Sequence, residues 1–293
     1  MSYFFIVNPN SGKEKNKKEF VYFLKKESET RKLICEIAYT QSSKHARELA
    51  FLAVKRGFKK VVAVGGDGTI REVASSLAGK DAALGIIPMG SGNGFARNLL
   101  LPLNVEEALV TVFKEKYLYC DVGICLGEIF LCACGFGVDA LIAERFNTGN
   151  HSRGLFPYFV SGAKALFSYK PKLLRFKKSD GTFIDYFPLL AAVMNGRQYG
   201  GGACVNPEGL IDDGVLEFIS LKNMGFLSAV LNLPYLFNGK INKKNIFGSL
   251  PLKNAEIHIG RDSVYHLDGE HFYSKDGVLK ISVWHKALKV ISA

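Results

Sequence analysis

Residues 65–69 read Gly65-Gly66-Asp67-Gly68-Thr69, directly after the apolar run Val61-Val62-Ala63-Val64 and before a helix-like segment. Three glycines around one carboxylate give a backbone that can lie against phosphates. The acid stands where a magnesium ion or a transferring proton would sit. The same five residues also suit a tight strand-to-helix turn with a surface Asp, so the motif alone leaves both readings open. A second glycine loop, Gly90-Ser91-Gly92-Asn93-Gly94, follows the strand-like Leu84 to Pro88. Ser91 and Asn93 add side-chain donors to it. A third turn, Asn8-Pro9-Asn10-Ser11-Gly12-Lys13, ends the first apolar run. Glycine permits close backbone approach, and the helix that follows such a loop presents unpaired N–H groups to anions. The Walker pattern is absent, and so is a dinucleotide Gly-x-Gly-x-x-Gly with an acid at ribose spacing.

These loops must be carried by strands whose ends align. The first ~115 residues alternate strand and helix patterns, which predicts a parallel sheet flanked by helices. Tyr3 to Asn8 reads as a buried strand, and Leu84 to Ile87 as another. Ser42-Ser43 precede an apolar-periodic segment that Gly57 stops. Asn104, with Glu107 three residues later, opens a helix through Ala108, Leu109 and Val112. Open α/β sheets bind ligands beyond the carboxyl ends of their strands, which is where the glycine loops fall.

From about Cys120 the pattern changes to short strand-like runs. They are Leu118–Cys125, Ile129–Cys134, Leu173–Phe176, Leu189–Met194, Val215–Leu221, Ala255–Ile259 and Val278–Val283. This spacing predicts a β-sandwich or a curled antiparallel sheet. Gly137 to Phe146 and Tyr158 to Tyr169 read as helices, with Leu227 to Phe237 a further candidate. Leu155 to Val160 and Phe226 to Phe237 are apolar segments suited to core packing, an acyl chain or a membrane surface, with Arg153 and Lys240 nearby.

The chain has 293 residues, enough for two cores, with 48% hydrophobic and 22% charged residues and a net charge of +11. The charge implies an acidic partner environment. Basic clusters at Lys13 to Lys18, Lys170 to Lys178 and Lys240 to Lys244 lack any aromatic nucleic-acid-binding strand or recognition helix, so no nucleic acid is expected. No apolar stretch reaches the ~18 residues of a spanning helix. The N-terminus has no signal-peptide pattern, which makes the expected location cytoplasmic. The six cysteines (35, 120, 125, 132, 134 and 204) have no zinc-ligand spacing and read as reduced, mostly buried thiols.

Taken in order, the motifs resemble the diacylglycerol kinase catalytic-domain family of lipid kinases, which includes bacterial diacylglycerol kinases, sphingosine kinases and ceramide kinases. The resemblance rests on Val7-Asn8-Pro9 with Ser11-Gly12, on Gly65 to Thr69 and on Gly90-Ser91-Gly92-Asn93. It continues through Gly135 to Ala140, Gly200-Gly201-Gly202, Asp212 to Leu216 and Asp268-Gly269-Glu270. It implies an N-terminal doubly wound α/β nucleotide-binding domain (1–118, with 285–293 returning to it) and a C-terminal β-sandwich lipid-acceptor domain (119–284). The active site is expected in the cleft between them.

The resemblance further implies that ATP is surrounded by Asn8, Pro9, Asn10, Ser11, Gly12, Thr40, Gly65, Gly66, Asp67, Gly68, Thr69 and the second loop at Ser91 and Asn93. Asp67 is expected beside the phosphates and a catalytic Mg2+, and Glu270 as general base; sphingosine kinases give the base role to the Asp67 match. Read from its own residues, Asp268-Gly269 is first a hairpin turn, with Glu270 its turn acid. A second Mg2+ is implied at Asp213 with the carbonyls of Leu210 and Val215. Relatives often carry Asp where this chain has Gly94, and Asn where it has Arg71; Arg71 reads either as a phosphate ligand or as a surface substitution.

The expected activity is ATP-dependent phosphorylation of a lipid hydroxyl, with diacylglycerol favoured over a sphingoid base, ceramide or phosphatidylglycerol. NAD kinase and a catalytically silent binding protein are the remoter readings. The expected partners are the lipid and an anionic membrane surface contacted peripherally, with a homodimer left open.

Overall fold

The computed structural model describes residues 1–148, 162, 165–166, 168–178 and 180–292, and the chain divides into two compact units. Leu155 to Val160, Arg153 and most of Tyr158 to Tyr169 lie outside the described residues.

The first unit comprises Met1–Val122 and Lys286–Ala293. Its elements are β1 (Ser2–Val7), α1 (Glu14–Arg31), β2 (Ile34–Tyr39), α2 (His45–Lys55), β3 (Lys60–Gly65), α3 (Asp67–Leu77), β4 (Ala83–Pro88), α4 (Gly94–Asn98) and α5 (Val105–Phe113). The strands run parallel in the order β2-β1-β3-β4. Successive β1 residues serve opposite faces, as a strand requires. Tyr3, Phe5 and Val7 join Phe20 and Leu24 of α1 and Leu109 and Val112 of α5 in one core. The other face is covered by α2 and α3, which bury Ala46, Ala50 and Ala53 and Ile70, Val73 and Leu77. Asn104 caps α5 as its position predicts, its Oδ1 accepting from Glu106 N at 2.9 Å and Glu107 N at 3.2 Å. The start of α2 has no side-chain cap of its own; Glu72 of α3 supplies it, accepting from Lys44 N at 2.9 Å and Ala46 N at 3.1 Å. Helices on both faces of a parallel sheet make this the doubly wound α/β domain that the alternation predicts.

The second unit, Gly123–His285, begins within β5 (Lys116–Cys125). It continues through β6 (Glu128–Phe130), β7 (Ala133–Gly135), α6 (Val138–Thr148), β8 (Leu174–Lys177), β9 (Phe183–Tyr186), β10 (Pro188–Met194), β11 (Leu216–Lys222) and α7 (Phe226–Phe237). It closes with β12 (Phe247–Leu252), β13 (Asn254–His258), β14 (Ser263–Leu267), β15 (Glu270–Ser274) and β16 (Val278–Ser292). One antiparallel sheet is ordered β12-β11-β10-β7-β14-β15. Against it stand β9-β8-β13 and the first part of β16. Phe136, Val193, Phe218 and Leu267 from one side meet Phe176, Ile257, Leu279 and Ile281 from the other in a single core, which defines a β-sandwich.

Strand β16 turns at Lys286, where φ is +49°. The buried Asp121 fixes that turn by accepting from Lys286 N at 2.7 Å. Beyond it Lys289 and Val290 pair in parallel with Ala83 and Leu84 of β4. Four cysteines, at 120, 125, 132 and 134, are buried and outside any disulfide. Burial, with a hydrogen bond to Cys125, pushes the Cys134 thiol well up, so it behaves as a small apolar residue.

Candidate active site

In the first unit three loops meet at the carboxyl ends of the strands. Asn8 follows β1 and is held by Asn8 N donating to Val64 O at 3.0 Å. Its carboxamide Nδ2 donates to Thr69 Oγ1 at 3.0 Å, and its Oδ1 accepts from Asn10 N at 2.9 Å. Ser11 N donates to Asn8 O at 3.1 Å, so Asn8, Pro9, Asn10 and Ser11 form one closed turn. Gly12, at φ +75°, ends it, and a Cβ there would lie 3.2 Å from Met89 Cβ. Thr40, buried after β2, donates its N–H to Val7 O at 2.9 Å and so stands at the same edge.

The two glycine loops touch through bare backbone. A Cβ on Gly90 would fall 2.7 Å from Gly66 Cα and 2.8 Å from Asn93 Oδ1, and one on Gly65 2.7 Å from Thr69 Oγ1. None of these glycines has positive φ, so it is space, not conformation, that demands them. Gly68 differs: it is exposed in the first turn of α3, and a Cβ there would meet nothing within 4 Å. The fold would gain roughly 1 kcal/mol of helix propensity from alanine at that position.

Asp67 opens α3, and the first N–H groups of that helix have no intrahelical acceptors. An anion at this end meets those N–H groups and the positive end of the helix dipole. Ser91 is exposed at the tip of the second loop. Asn93 is buried at φ +50°, and its carboxamide both accepts from Gly90 N and donates to Gly90 O, each at 2.9 Å. Its side chain therefore shapes the loop. Arg71 is 6% exposed, which removes the reading of a surface substitution. Gly94 is buried at the start of α4.

In the second unit Glu270 is the first residue of β15 and faces Leu267 across a two-residue turn. Asp268 at φ +49° and Gly269 at φ +86° give that turn its two left-handed positions, the Asp-Gly hairpin geometry. Asp268 also does what a plain turn acid does not. Its carboxylate accepts from Leu131 N at 2.7 Å, Cys132 N at 2.8 Å and Ala133 N at 3.0 Å. Asn147 Nδ2 donates to Gly269 O at 2.8 Å.

Below the turn lies a buried polar group that the sequence pattern did not disclose. His266 Nδ1 accepts from Gly269 N at 3.2 Å, which leaves Nε2–H to donate to Asp139 Oδ2 at 3.1 Å. Tyr199 OH donates to the same oxygen at 2.8 Å, and Gly137 N donates to Asp139 Oδ1 at 2.8 Å. A Cβ on Gly135 would stand 2.0 Å from Asp139 Oδ2, so that glycine makes room for the carboxylate. The alternation of β14 (Ser-Val-Tyr-His-Leu) marks His266 as facing the side opposite Tyr265 and Leu267, the one signal that could have found it.

Asp213 and Leu210 are exposed, and Asp213 Oδ1 accepts from Val215 N at 3.0 Å. Nearby, burial and the Asp213 charge push the Glu217 carboxyl up to about 7, against a hydrogen bond from Asn206 Nδ2 at 2.9 Å. Carboxylates and carbonyls are the hard oxygen donors magnesium takes, so the residues fit such an ion by chemistry. Among the described residues no group of three or more His, Cys, Asp and Glu side chains is placed to hold a metal.

Glycine-lined loops at the ends of parallel strands, next to a helix N-terminus with its own carboxylate, have the form that suits a phosphate-handling enzyme, nucleotide-dependent kinases among them. The model of the diacylglycerol kinase catalytic domain matches residues 2–125, and that of the YegS C-terminal NAD kinase beta sandwich-like domain matches residues 132–292. A "Probable lipid kinase YegS-like" of Yersinia pestis (strain Pestoides F) is 34% identical over 236 residues, 78% of this chain and 76% of that protein. The protein of the same name from Yersinia pseudotuberculosis serotype O:1b (strain IP 31758) gives the same values. A crystal structure of a diacylglycerol kinase from Bacillus anthracis str. Sterne has a TM-score of 0.78 at 24% identity, covering 100% of this chain and 97% of that one, a likeness of fold.

The chain belongs to the YegS-like lipid kinase family, with a diacylglycerol kinase catalytic domain followed by a β-sandwich domain. It is a kinase whose substrate is a lipid, and membership implies ATP as phosphoryl donor. Among the described residues no helix is long and apolar enough to cross a membrane.

Proposed function

We propose that this kinase transfers the γ-phosphoryl group of ATP to the free hydroxyl of diacylglycerol. The observation that carries the nucleotide half of this reading is Gly68, a helix-start glycine for which the protein itself has no steric or conformational use. Such a glycine serves a group that approaches from outside, and the neighbouring helix N–H groups suit phosphate.

In this reading Asn8, Pro9, Asn10, Ser11, Gly12 and Thr40 border the nucleotide, Gly65, Gly66, Gly68 and Thr69 line its phosphates, and Ser91 donates from the second loop, whose shape Asn93 sets. Asp67 orients the phosphates and their magnesium. Glu270, on a turn fixed by Asp268, His266 and Asn147, takes the proton of the acceptor hydroxyl as it attacks. A structural magnesium would be held by Asp213 with the carbonyl oxygens of Leu210 and Val215; when bound it neutralises charge in that loop. The expected consequence is that Mg2+ raises the Tm of the wild-type chain but not of Asp213→Ala.

The acceptor's acyl portion has a candidate seat in the second unit, a cavity of about 290 Å3 whose lining includes Phe136, Leu141, Leu173 and Val264. Lys170 and Lys172 stand at its lining and suit an anionic headgroup nearby. The location we infer is the cytoplasmic face of a membrane, in peripheral contact with anionic lipid, and a homodimer remains compatible with it.

Labelled ATP offered with diacylglycerol, sphingosine, ceramide, phosphatidylglycerol and NAD in parallel tests the assignment. Label on diacylglycerol above the other acceptors is expected. Label confined to another lipid would replace the substrate, and label confined to NAD would refute the lipid acceptor.

A further inference from the structure

Helix α7 reverses the usual surface pattern. It is 12 residues long, Phe226–Phe237, without a charged side chain, and only Ala229 is buried. Leu227 is 71% exposed, Leu231 65% and Phe237 50%, with Phe226 and Val230 also exposed. At the pitch of an α-helix these five and the exposed Pro234 fall in a single arc of about 140°, with Ala229 on the opposite side. A helix of a globular protein normally turns its apolar stripe to the core and its polar side to water. Here the apolar stripe faces out.

The surroundings of the helix are cationic. From residue 222 to residue 250 the chain has Lys222, Lys240, Lys243 and Lys244 and no Asp or Glu. Lys222, Lys240 and Lys243 are exposed. Lys244 packs its Nζ 3.6 Å from the Tyr235 ring centroid, which holds its charge against the helix. An acid from another segment, Glu208, accepts from Asn242 Nδ2 at 2.8 Å.

We propose that α7 is the membrane-docking element of this kinase, lying in the plane of the bilayer with Phe226, Leu227, Val230, Leu231 and Phe237 inserted among anionic headgroups. The inference rests on the peripheral membrane contact proposed above and assigns that contact to a surface. Charge complementarity selects the occupant. A second copy of a chain with net charge +11 would set lysine against lysine around the same stripe, whereas anionic phospholipid pairs with each of them. An uncharged apolar stripe on a helix flanked along the chain by exposed lysines is the pattern of a helix that lies on a membrane without crossing it.

The test is co-sedimentation of the full chain with phosphatidylcholine vesicles, with and without phosphatidylglycerol. The variants are Leu227→Asn/Leu231→Asn and Lys240→Gln/Lys243→Gln, all at exposed positions outside the catalytic machinery. Wild type is expected to sediment with the anionic vesicles. The leucine pair should lower that partitioning at least about tenfold, and the lysine pair roughly thirtyfold, on anionic vesicles alone. Both variants should keep wild-type turnover on a short-chain, water-dispersed diacylglycerol. Unchanged sedimentation of the leucine pair overturns the proposal. A wild-type dimer that the leucine pair splits, with vesicle binding intact, assigns the stripe to a second copy instead. Vesicle binding without lipid phosphorylation would sink the kinase assignment and leave the docking surface standing. Turnover of the dispersed lipid without sedimentation would do the reverse.

Discussion

The glycine loops of the first unit and the Glu270 turn of the second are built by opposite means. Where the first two glycine loops meet, the approach comes from side chains that are missing: Gly66 and Gly90 let two backbones come together where a Cβ on Gly90 would stand 2.7 Å from Gly66 Cα. At residues 266–270 the geometry comes from side chains that are present: the Asp268 carboxylate takes three backbone N–H groups, while His266 and Asn147 hold Gly269 from either side. Gly269 itself has open space around it and is needed for its φ of +86°. A surface that binds many phosphate oxygens is best made of bare N–H groups, whereas one carboxylate that must be aimed needs a turn fixed by side-chain hydrogen bonds.

The largest effects separate the two regions by chemistry. Asp67→Asn should lower kcat by about 10²–10³ through lost charge at the phosphates, and Glu270→Gln by about 10²–10⁴ through lost proton transfer. Both should leave the circular dichroism spectrum unchanged. A Glu270→Gln enzyme at wild-type rate would move the base elsewhere and reduce the turn to structure.

The next effect separates space from conformation. Gly90→Ala should destabilise the first unit by about 1–3 kcal/mol because backbone must move. Gly90→Asn should be no better. Gly269→Ala should cost about 1–2 kcal/mol from left-handed strain, and Gly269→Asn should recover much of it, since Asn tolerates that region. Equal rescue by Asn at both positions, in chemical denaturation, would erase the distinction.

A smaller effect concerns the polar props. His266→Ala leaves the buried Asp139 carboxylate short of a donor and should cost about 1–3 kcal/mol. It should also lower kcat without changing the KM for ATP, since the first unit is untouched. A matching rise in that KM would contradict the separation.

The smallest is a pH dependence confined to the first unit. Burial by itself would raise the Glu115 carboxyl, but hydrogen bonds from Lys60 and Tyr3 outweigh it and hold it below its ordinary value. A carboxyl lowered in the folded state adds stability above its unfolded pKa and loses it as pH falls through the folded value. Glu115→Gln should therefore flatten the acid limb of the stability curve and leave the slope near neutrality unchanged.

The sequence disclosed the first region better than the second. Backbone sites are written in glycines, and glycine spacing after an apolar run is visible in a single chain. Strands β3 and β4, the cap at Asn104 and both glycine loops were accordingly legible. Helix α1 was not, because Phe20 and Leu24 alone are buried along its 18 residues and the periodic signal is weak. Nor was the cap on α2, since Glu72 lies in another helix, 28 residues from Lys44. The network of Asp139, Tyr199 and His266 joins residues up to 127 apart, and no local pattern announces such a set. Arg71 read as evenly poised between ligand and surface, and burial settled half of that question.

Gly68 carries the nucleotide site most directly. The ATP KM and the Tm of Gly68→Ala, measured on the same preparation, test whether residues 65–69 are a phosphate cradle. With nothing within 4 Å of the added Cβ, Gly68→Ala should show a Tm at or above wild type together with a KM for ATP raised at least about tenfold, as a contact of about 1.4 kcal/mol with the phosphates is blocked. An unchanged KM would show that no phosphate approaches that backbone, and the nucleotide site would have to be sought elsewhere.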